Sequence, residues 1–216
     1  MVSIASVGSW ITENSGLLIE QMIQHLNIAL TSLFFGIILW VPAGLLIRRN
    51  DRAAEMLLGT AGIILTIPSL ALLSLLIPIV GIGVPSAIVA LTLYSALPIA
   101  RNTYVGLTNV DPAMIEAGRG LGMTERQLLL RVRVPLALSV IMTGIRQAAV
   151  LLVAITTVAA FFGAGGLGDS IFAGIRLNNP NQVIGAALFI SSIAIVIDSG
   201  LYGVQKILPG TRGQNI

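Results

Sequence analysis

The sequence predicts an all-α polytopic membrane protein, and three observations support that fold class. Of the 216 residues, 56% are hydrophobic and 10% are charged, with a mean hydropathy of +0.95. Several apolar runs reach the ~18 residues that a helix needs to cross a hydrocarbon core of ~30 Å. Cysteine is absent, which excludes a disulfide framework and a cysteine metal site. We therefore expect one transmembrane domain over residues 1–216, with no separate soluble domain.

About five transmembrane helices are predicted in chain order. The first twenty residues contain no Lys or Arg and so lack the charged start of a signal peptide. Residues 1–24 are predicted to be an extracytoplasmic lead-in, with His25 at the membrane interface. The apolar runs then predict spans at 27–47, 53–80, 86–104, 136–162 and 183–205.

The second apolar run is too long for one upright span, since it would measure about 42 Å as a straight helix. Pro68 and Pro78 interrupt it, and proline inside a helix removes a hydrogen bond and clashes with the preceding turn. We expect a helix to about Ile67, then a break. Irregular backbone at membrane depth lines cavities in transporters, so Thr66, Pro68 and Ser69 are candidate translocation residues. A simple proline kink is the alternative interpretation.

The positive charges are asymmetric along the chain. If the loop at 48–52, the polar insert at 105–134 and the C-terminus share one side, that side holds ten of the twelve cations. These are Arg48, Arg49, Arg52, Arg101, Arg119, Arg126, Arg131, Arg133, Lys206 and Arg212. Cytoplasmic loops carry the excess of Lys and Arg, so this side is predicted to be cytoplasmic and the N-terminus to lie outside. Residues 163–182 are then an extracytoplasmic Gly-rich loop.

The polar insert is predicted to be a helix-turn-helix. Asp111-Pro112 suits a helix start, because Asp accepts free N–H groups and Pro suits the first helical position. Gly120 and Gly122 supply a turn, and residues 124–127 fit a capping box that begins a second helix, ending at Pro135. The residues alone leave two interpretations open: a docking surface for a protein, or an amphipathic loop lying on lipid headgroups.

The insert resembles the EAA loop of ABC-importer permeases, whose pattern is E-A-A-x-x-x-G, nine residues, then I-x-L-P. Here Glu116, Ala117, Gly122 and Pro135 match, Gly118 replaces the second alanine, and Val132 and Val134 stand for Ile and Leu. The resemblance implies that these residues couple the spans to a cytoplasmic ATPase. It also implies a fold like that of the methionine permeases.

The resemblance further implies the partners of this chain. The sequence contains no G-x-x-x-x-G-K-[ST] phosphate loop, so we expect no enzyme activity, cofactor or metal here. ATP and magnesium are expected on a cytoplasmic ABC ATPase dimer. A second permease subunit, identical or paralogous, is expected in a bacterial inner membrane, with lipid contacts and no nucleic acid. The chain ends at Ile216 without a fused binding domain, so a separate extracytoplasmic substrate-binding protein is expected.

Segments 66–83, 116–124, 135–150 and 159–171 look like permeases for glycine betaine, carnitine and choline. The implied cargo is a quaternary ammonium osmoprotectant. The Gly-rich segment and the EAA loop also resemble methionine-type importers, which keeps an amino acid as the alternative cargo. A stand-alone ion-coupled transporter is a further alternative, with few intramembrane charges to support it.

Arg146 and Asp198 lie within predicted spans, where charges are costly and face protein or a cavity. They lie at comparable depth, about 16 Å of helix from Pro135 and about 12 Å from Lys206. We expect them to pair, either as a static brace or as a gate or substrate contact.

The stretch GAGGLG at 163–168 also matches a dinucleotide-binding fingerprint, but it follows a predicted span and not a strand. We interpret it as a tight turn that also helps to close the outer mouth. Tyr94, Trp40 and Phe34 are candidate π faces for a quaternary ammonium group, with helix packing as the alternative.

Overall fold

The computed structural model describes residues 3–208, and most of these are helical. The helices are α1 Ile4–Glu13, α2 Ser15–Ile47, α3 Asp51–Thr66, α4 Ser69–Val80, α5 Val84–Tyr94, α6 Ala96–Thr108, α7 Pro112–Gly120, α8 Glu125–Leu128, α9 Val134–Ala159, α10 Leu167–Arg176 and α11 Pro180–Ile207. A π-helical turn, Leu129–Arg133, joins α8 to α9. Residues 3–208 contain no strand, in agreement with the all-α prediction. Arg212 and the first two residues of the predicted lead-in lie outside the described residues.

About five spans are confirmed in the described part of the chain. Four helical stretches are long and apolar enough to cross a membrane: Ser15–Ile47, Val84–Thr108, Glu125–Phe162 and Pro180–Ile207. Helices α3 and α4 are together long and apolar enough to be counted as a fifth, broken span, with a bend of 103° at the break.

The first span begins earlier than predicted. Helix α2 starts at Ser15 and runs for 33 residues, and α1 precedes it with only Asn14 between them. Residues 3–24 are therefore largely helical, and His25 is fully buried instead of interfacial. Polar side chains at Gln21 and Gln24 interrupt the apolar run, which is why hydropathy alone placed the span start too late.

The break at Pro68 is confirmed, and a neighbouring helix stabilises it. Helix α3 ends at Thr66, Ile67 is extended, and α4 begins at Ser69. The carbonyl of Ile67 accepts a hydrogen bond of 2.7 Å from the hydroxyl of Tyr94. The carbonyl of extended Ile67, which has left the helix, thus finds a partner inside the protein, as membrane depth requires.

The third span is interrupted at Ser95 and is not one regular helix. Helix α5 ends at Tyr94, and α6 begins at Ala96 with Pro98 in its first turn. Proline has no N–H for the carbonyl of the preceding turn, so the regular ladder is interrupted there. The Ser95 hydroxyl donates to the carbonyl of Thr92 at 2.7 Å at this interruption.

Glycines allow α9 and its neighbours to pack closely. A Cβ atom at Gly144 on α9 would lie 2.5 Å from the carbonyl oxygen of Pro98 and 2.6 Å from the Cβ of Asn102, both on α6. A Cβ atom at Gly44 on α2 would lie 2.7 Å from the Cβ of Thr103. Small residues are typical of membrane helix contacts because they let the backbones approach.

We predict that Gly144→Ala lowers the free energy of unfolding by about 1–3 kcal/mol, the usual cost of overpacking. The matched control is Gly203→Ala on α11, where no atom lies within 4 Å of the added carbon. That control should be neutral or stabilising by up to ~1 kcal/mol, because alanine is the better helix former. Equilibrium unfolding in mixed micelles measures both, and equal effects would contradict the proposed contact.

Candidate functional site

The first arm of the polar insert is α7, and its start is as predicted. Asp111 is the N-cap and accepts a hydrogen bond of 2.9 Å from the backbone N–H of Ala113, with Pro112 at the first helical position. Ile115 and Gly118 are buried toward the second arm, whereas Glu116 and Ala117 are exposed. The residues of the EAA pattern therefore divide between an inner packing face and an outer face.

The turn between the two arms projects from the bundle. Gly122 has φ +73°, a left-handed conformation that glycine adopts without strain. Its N–H donates to the carbonyl of Arg119 at 2.9 Å, and the N–H of Met123 donates to the carbonyl of Gly118 at 3.1 Å. Leu121 is 79% exposed, so the turn presents an apolar side chain to the surroundings.

The second arm begins with the predicted capping box. The Thr124 hydroxyl accepts from the N–H of Gln127 at 3.3 Å, and the Gln127 side chain accepts from the N–H of Thr124 at 2.8 Å. Leu128 is buried against the first arm, and a Cβ atom on Gly118 would lie 2.6 Å from its Cδ2. Leu128 thus occupies the space that an alanine at position 118 would need.

The second arm does not end at Pro135, which corrects the sequence-based boundary. It continues through the π-helical turn Leu129–Arg133 into α9, so that Glu125–Phe162 is one helical stretch of 38 residues. The N–H of Val134 bonds to the carbonyl of Leu129, five residues back. This wider turn displaces the carbonyl that the proline ring would otherwise meet. The insert is therefore joined to the fourth span without a loop.

Polar contacts hold the insert against the rest of the chain. Glu125 forms ion pairs with Arg119 of the first arm at 3.2 Å and with Arg49 of the loop after α2 at 3.6 Å. Arg133 donates to the carbonyl of Leu107 at the end of α6, at 3.0 Å. Exposed ion pairs are worth at most about 1 kcal/mol each, so they orient the insert more than they stabilise it.

Arg146 and Asp198 form the predicted ion pair. The Nε and Nη2 atoms of Arg146 lie 2.9 and 2.8 Å from the two carboxylate oxygens of Asp198. Nη1 donates to Gln205 at 2.9 Å, and the guanidinium carbon lies 4.6 Å from the ring centre of Tyr202. Gln205 in turn donates to the carbonyl of Ser139 at 2.8 Å. The pair is part of a network that joins α9 to α11.

The sequence analysis missed Tyr202 and Gln205 as members of this network. A signal existed, because they follow Asp198 by four and seven residues and so share its face of α11. The residues at the Pro68 break do not join this network. Thr66 donates to the carbonyl of Ile63 in its own helix at 2.7 Å, and Pro68 is exposed while Ser69 is half-buried.

The Gly-rich segment is a tight turn followed by a helix, and not a loop throughout 163–182. Gly163, Gly165 and Gly166 all have positive φ, as predicted for a turn, and α10 then covers Leu167–Arg176. The sequence analysis missed this helix because its ten residues are too short and too mixed for a span. Partial burial raises the pKa of Asp169 in its first turn, and nearby Arg176 opposes that shift.

Three polar side chains of α2 hold this turn, and none was singled out for that role from the sequence. Gln24 accepts from the N–H of Gly166 at 3.0 Å, and Gln21 accepts from the hydroxyl of Ser170 at 2.6 Å. His25 Nε2 lies 2.9 Å from the carbonyl oxygen of Val153 on α9. Gln24 and Gln21 therefore fix the turn and the start of α10 to α2, and His25 bonds α2 to α9.

The three candidate aromatic residues do not form a common cage. The Trp40 indole donates to the carbonyl of Thr92 at 2.8 Å, and Tyr94 is bound to Ile67. Phe34 is exposed and lies edge-on to Phe35. Packing and backbone bonding account for their positions.

The sequence of this chain is similar to those of known transport permeases. Residues 32–210 match the family model described as binding-protein-dependent transport system inner membrane component. The carnitine transport permease protein OpuCB of Listeria monocytogenes is 42% identical, over 91% of this chain and 90% of its own length. The choline transport system permease protein OpuBB of Bacillus subtilis is 42% identical over 90% of both chains. The osmoprotectant import permease protein OsmW of Salmonella typhimurium is 43% identical, over 92% of this chain and 95% of its own length.

Solved structures share the fold. A chain of the MetNI methionine ABC transporter, in an inward-facing conformation, superposes with a TM-score of 0.79. It is 25% identical, and the match covers 89% of this chain and 96% of that one.

We predict that Arg146→Gln and Asp198→Asn each destabilise the protein by about 1–3 kcal/mol. Removing one partner of a buried pair costs about 3–5 kcal/mol, and the partial exposure of this pair reduces that figure. The double variant should lose less than the sum, because neither charge is then left alone. A double-mutant cycle from micellar unfolding measures this coupling. Arg176→Gln, at an exposed position, is the control, and its free energy of unfolding should stay within ~0.5 kcal/mol of the unchanged protein. If the effects of the two single variants simply add in the double variant, the pair does not act as a brace.

Proposed function

The chain belongs to the family of binding-protein-dependent transport system inner membrane components and is the permease subunit of an ABC importer, and we propose that its cargo is a quaternary ammonium osmoprotectant. The observation that supports this cargo is the 42–43% identity, over at least nine tenths of the chain, to permeases named for carnitine, choline and osmoprotectants. Because the chain belongs to this family, the alternative of a stand-alone ion-coupled transporter is set aside. The methionine transporter is the weaker guide to cargo, since it shares only 25% identity.

The polar insert is the docking element for the ATPase in this proposal. Glu116 and Ala117 form the exposed face of the first arm, and the turn at Gly122 projects Leu121 outward. Gly118 packs the two arms together, and Pro135 lies where the second arm enters the bundle. A movement imposed on the turn would reach α9 directly, because no loop separates them.

The partners follow from the same proposal. ATP and magnesium belong to a cytoplasmic ATPase dimer, since this sequence has no phosphate-binding loop of its own. A separate extracytoplasmic binding protein delivers the cargo, and a second permease subunit completes the pathway. The asymmetry of positive charge supports an N-terminus outside and a cytoplasmic C-terminus in a bacterial inner membrane. Docking of the insert on a cytoplasmic ATPase requires the same orientation.

Two irregular segments are the proposed moving parts. The break formed by Thr66, Pro68 and Ser69 interrupts a span at membrane depth, where irregular backbone serves transporters as a site for cargo or gating. The turn at 163–168 is bonded to α2 through Gln24, which suits a role in closing the outer mouth. Arg146 and Asp198 set the position of α11 against α9.

Transport of labelled glycine betaine tests the cargo. We expect saturable, ATP-dependent uptake in vesicles that contain this chain with its ATPase and binding protein. Carnitine and choline should compete, whereas excess methionine should leave uptake unchanged. Competition by methionine alone would preserve the importer and overturn the cargo assignment.

Two substitutions test the docking role of the insert. Glu116→Arg and Gly122→Trp should lower uptake at least ~10-fold, the equivalent of ~1.4 kcal/mol, with normal amounts of protein in the membrane. Glu55→Arg is the control for charge reversal, because Glu55 is exposed on α3 outside the insert. Gly122→Asn is the control for backbone strain, because Asn tolerates positive φ better than most residues. Normal uptake by both Glu116→Arg and Gly122→Trp would refute docking at this surface.

A further inference from the structure

A polar recess lies beside the ion pair between α9 and α11. It encloses about 490 Å³ and is lined by Thr143, Arg146, Gln147, Val150 and Asp198. Pockets for small ligands are usually ~300–1,000 Å³, so the recess has room for a small solute. The Arg146 and Asp198 side chains remain 22% and 37% exposed in it. We call this space the Arg146 recess.

The Arg146 recess does not suit contact with lipid tails. Partly exposed charges within a span are costly in hydrocarbon and are found facing protein or water. Gln147 is also exposed on this wall, and its side chain accepts a bond of 3.3 Å from Asn102 on α6. Val196, on the opposite side of α11, is 69% exposed among apolar residues. The two sides of α11 therefore differ in polarity, and the recess is the side fitted to water.

The charges at the recess are balanced, and the balance restricts what can bind there. The bonds of Arg146 to Asp198 and Gln205 use three of its five N–H groups, so its guanidinium retains donors for a further acceptor. A solute with a carboxylate and an ammonium group would face Arg146 with the first and Asp198 with the second, and leave no net charge uncompensated. A solute that carries only a positive charge would compete for Asp198 and leave Arg146 without a counter-ion.

We infer that the Arg146 recess is a water-filled wall of the translocation pathway that binds zwitterionic solutes in preference to simple cations. Arg146 contacts the carboxylate and Asp198 the ammonium group of the passing solute. This inference rests on the proposed cargo class and adds to it a position in the membrane and a charge requirement.

Cysteine labelling tests the inference, because the sequence contains no cysteine and each variant carries a single thiol. Gln147→Cys probes the recess, and Val196→Cys is the matched control at similar depth on the apolar side. Both are assembled with the ATPase and binding protein in vesicles and treated with a charged methanethiosulfonate. Val150→Cys, also on the recess wall, repeats the measurement in case Gln147→Cys inserts poorly.

Labelling of Gln147→Cys should be at least ~10-fold faster than that of Val196→Cys, since a charged reagent and a thiolate both require water. Excess glycine betaine under turnover should slow that labelling several-fold, and choline transported at the same rate should slow it clearly less. Equal labelling of both thiols would overturn the aqueous wall, and equal protection by choline would overturn the charge requirement. If uptake is normal but the thiols in the recess are not labelled, this inference alone is wrong. If no quaternary ammonium solute is taken up, both this inference and the proposed function are wrong.

Discussion

Hydrocarbon offers no partner to an unpaired backbone N–H or C=O group, and each irregular segment of this bundle is formed under that constraint. At the Pro68 break the carbonyl of Ile67 is bound by Tyr94 from another helix. At the Gly-rich turn the N–H of Gly166 is bound by Gln24 from α2. These two breaks therefore depend on a polar side chain from a neighbouring helix. Both lie in segments where a transporter needs adjustable backbone.

Features that depend on local chemistry were predictable from the sequence. Asp111 and the box at 124–127 cap helices through side chains two or three residues from the groups they bind. Pro68 interrupts its span for reasons contained in one residue. The Arg146–Asp198 pair was also predictable, because two charges at similar depth in an apolar bundle have few other partners.

Features that depend on tertiary packing were not predictable in the same way. Pro135 does not end its helix, because a π-helical turn absorbs the steric conflict before it. His25 is buried because the carbonyl of Val153 on a distant part of the chain lies beside it. Glycine at position 118 leaves room for Leu128, which lies on the facing arm where a Cβ atom would be. In each case the deciding atom belongs to a segment whose position depends on the folded bundle, and no local pattern encodes it.

The unbroken helical stretch Glu125–Phe162 has a mechanical consequence. Gly144, where α9 crosses α6 most closely, lies at its midpoint, with about 28 Å of helix on either side. A rigid rod pivoting by ~10° about that crossing moves each end by about 5 Å in opposite directions. If the stretch moves as one rigid body about that crossing, a displacement of the insert would be reproduced, reversed and equal in size, beside the Gly-rich turn.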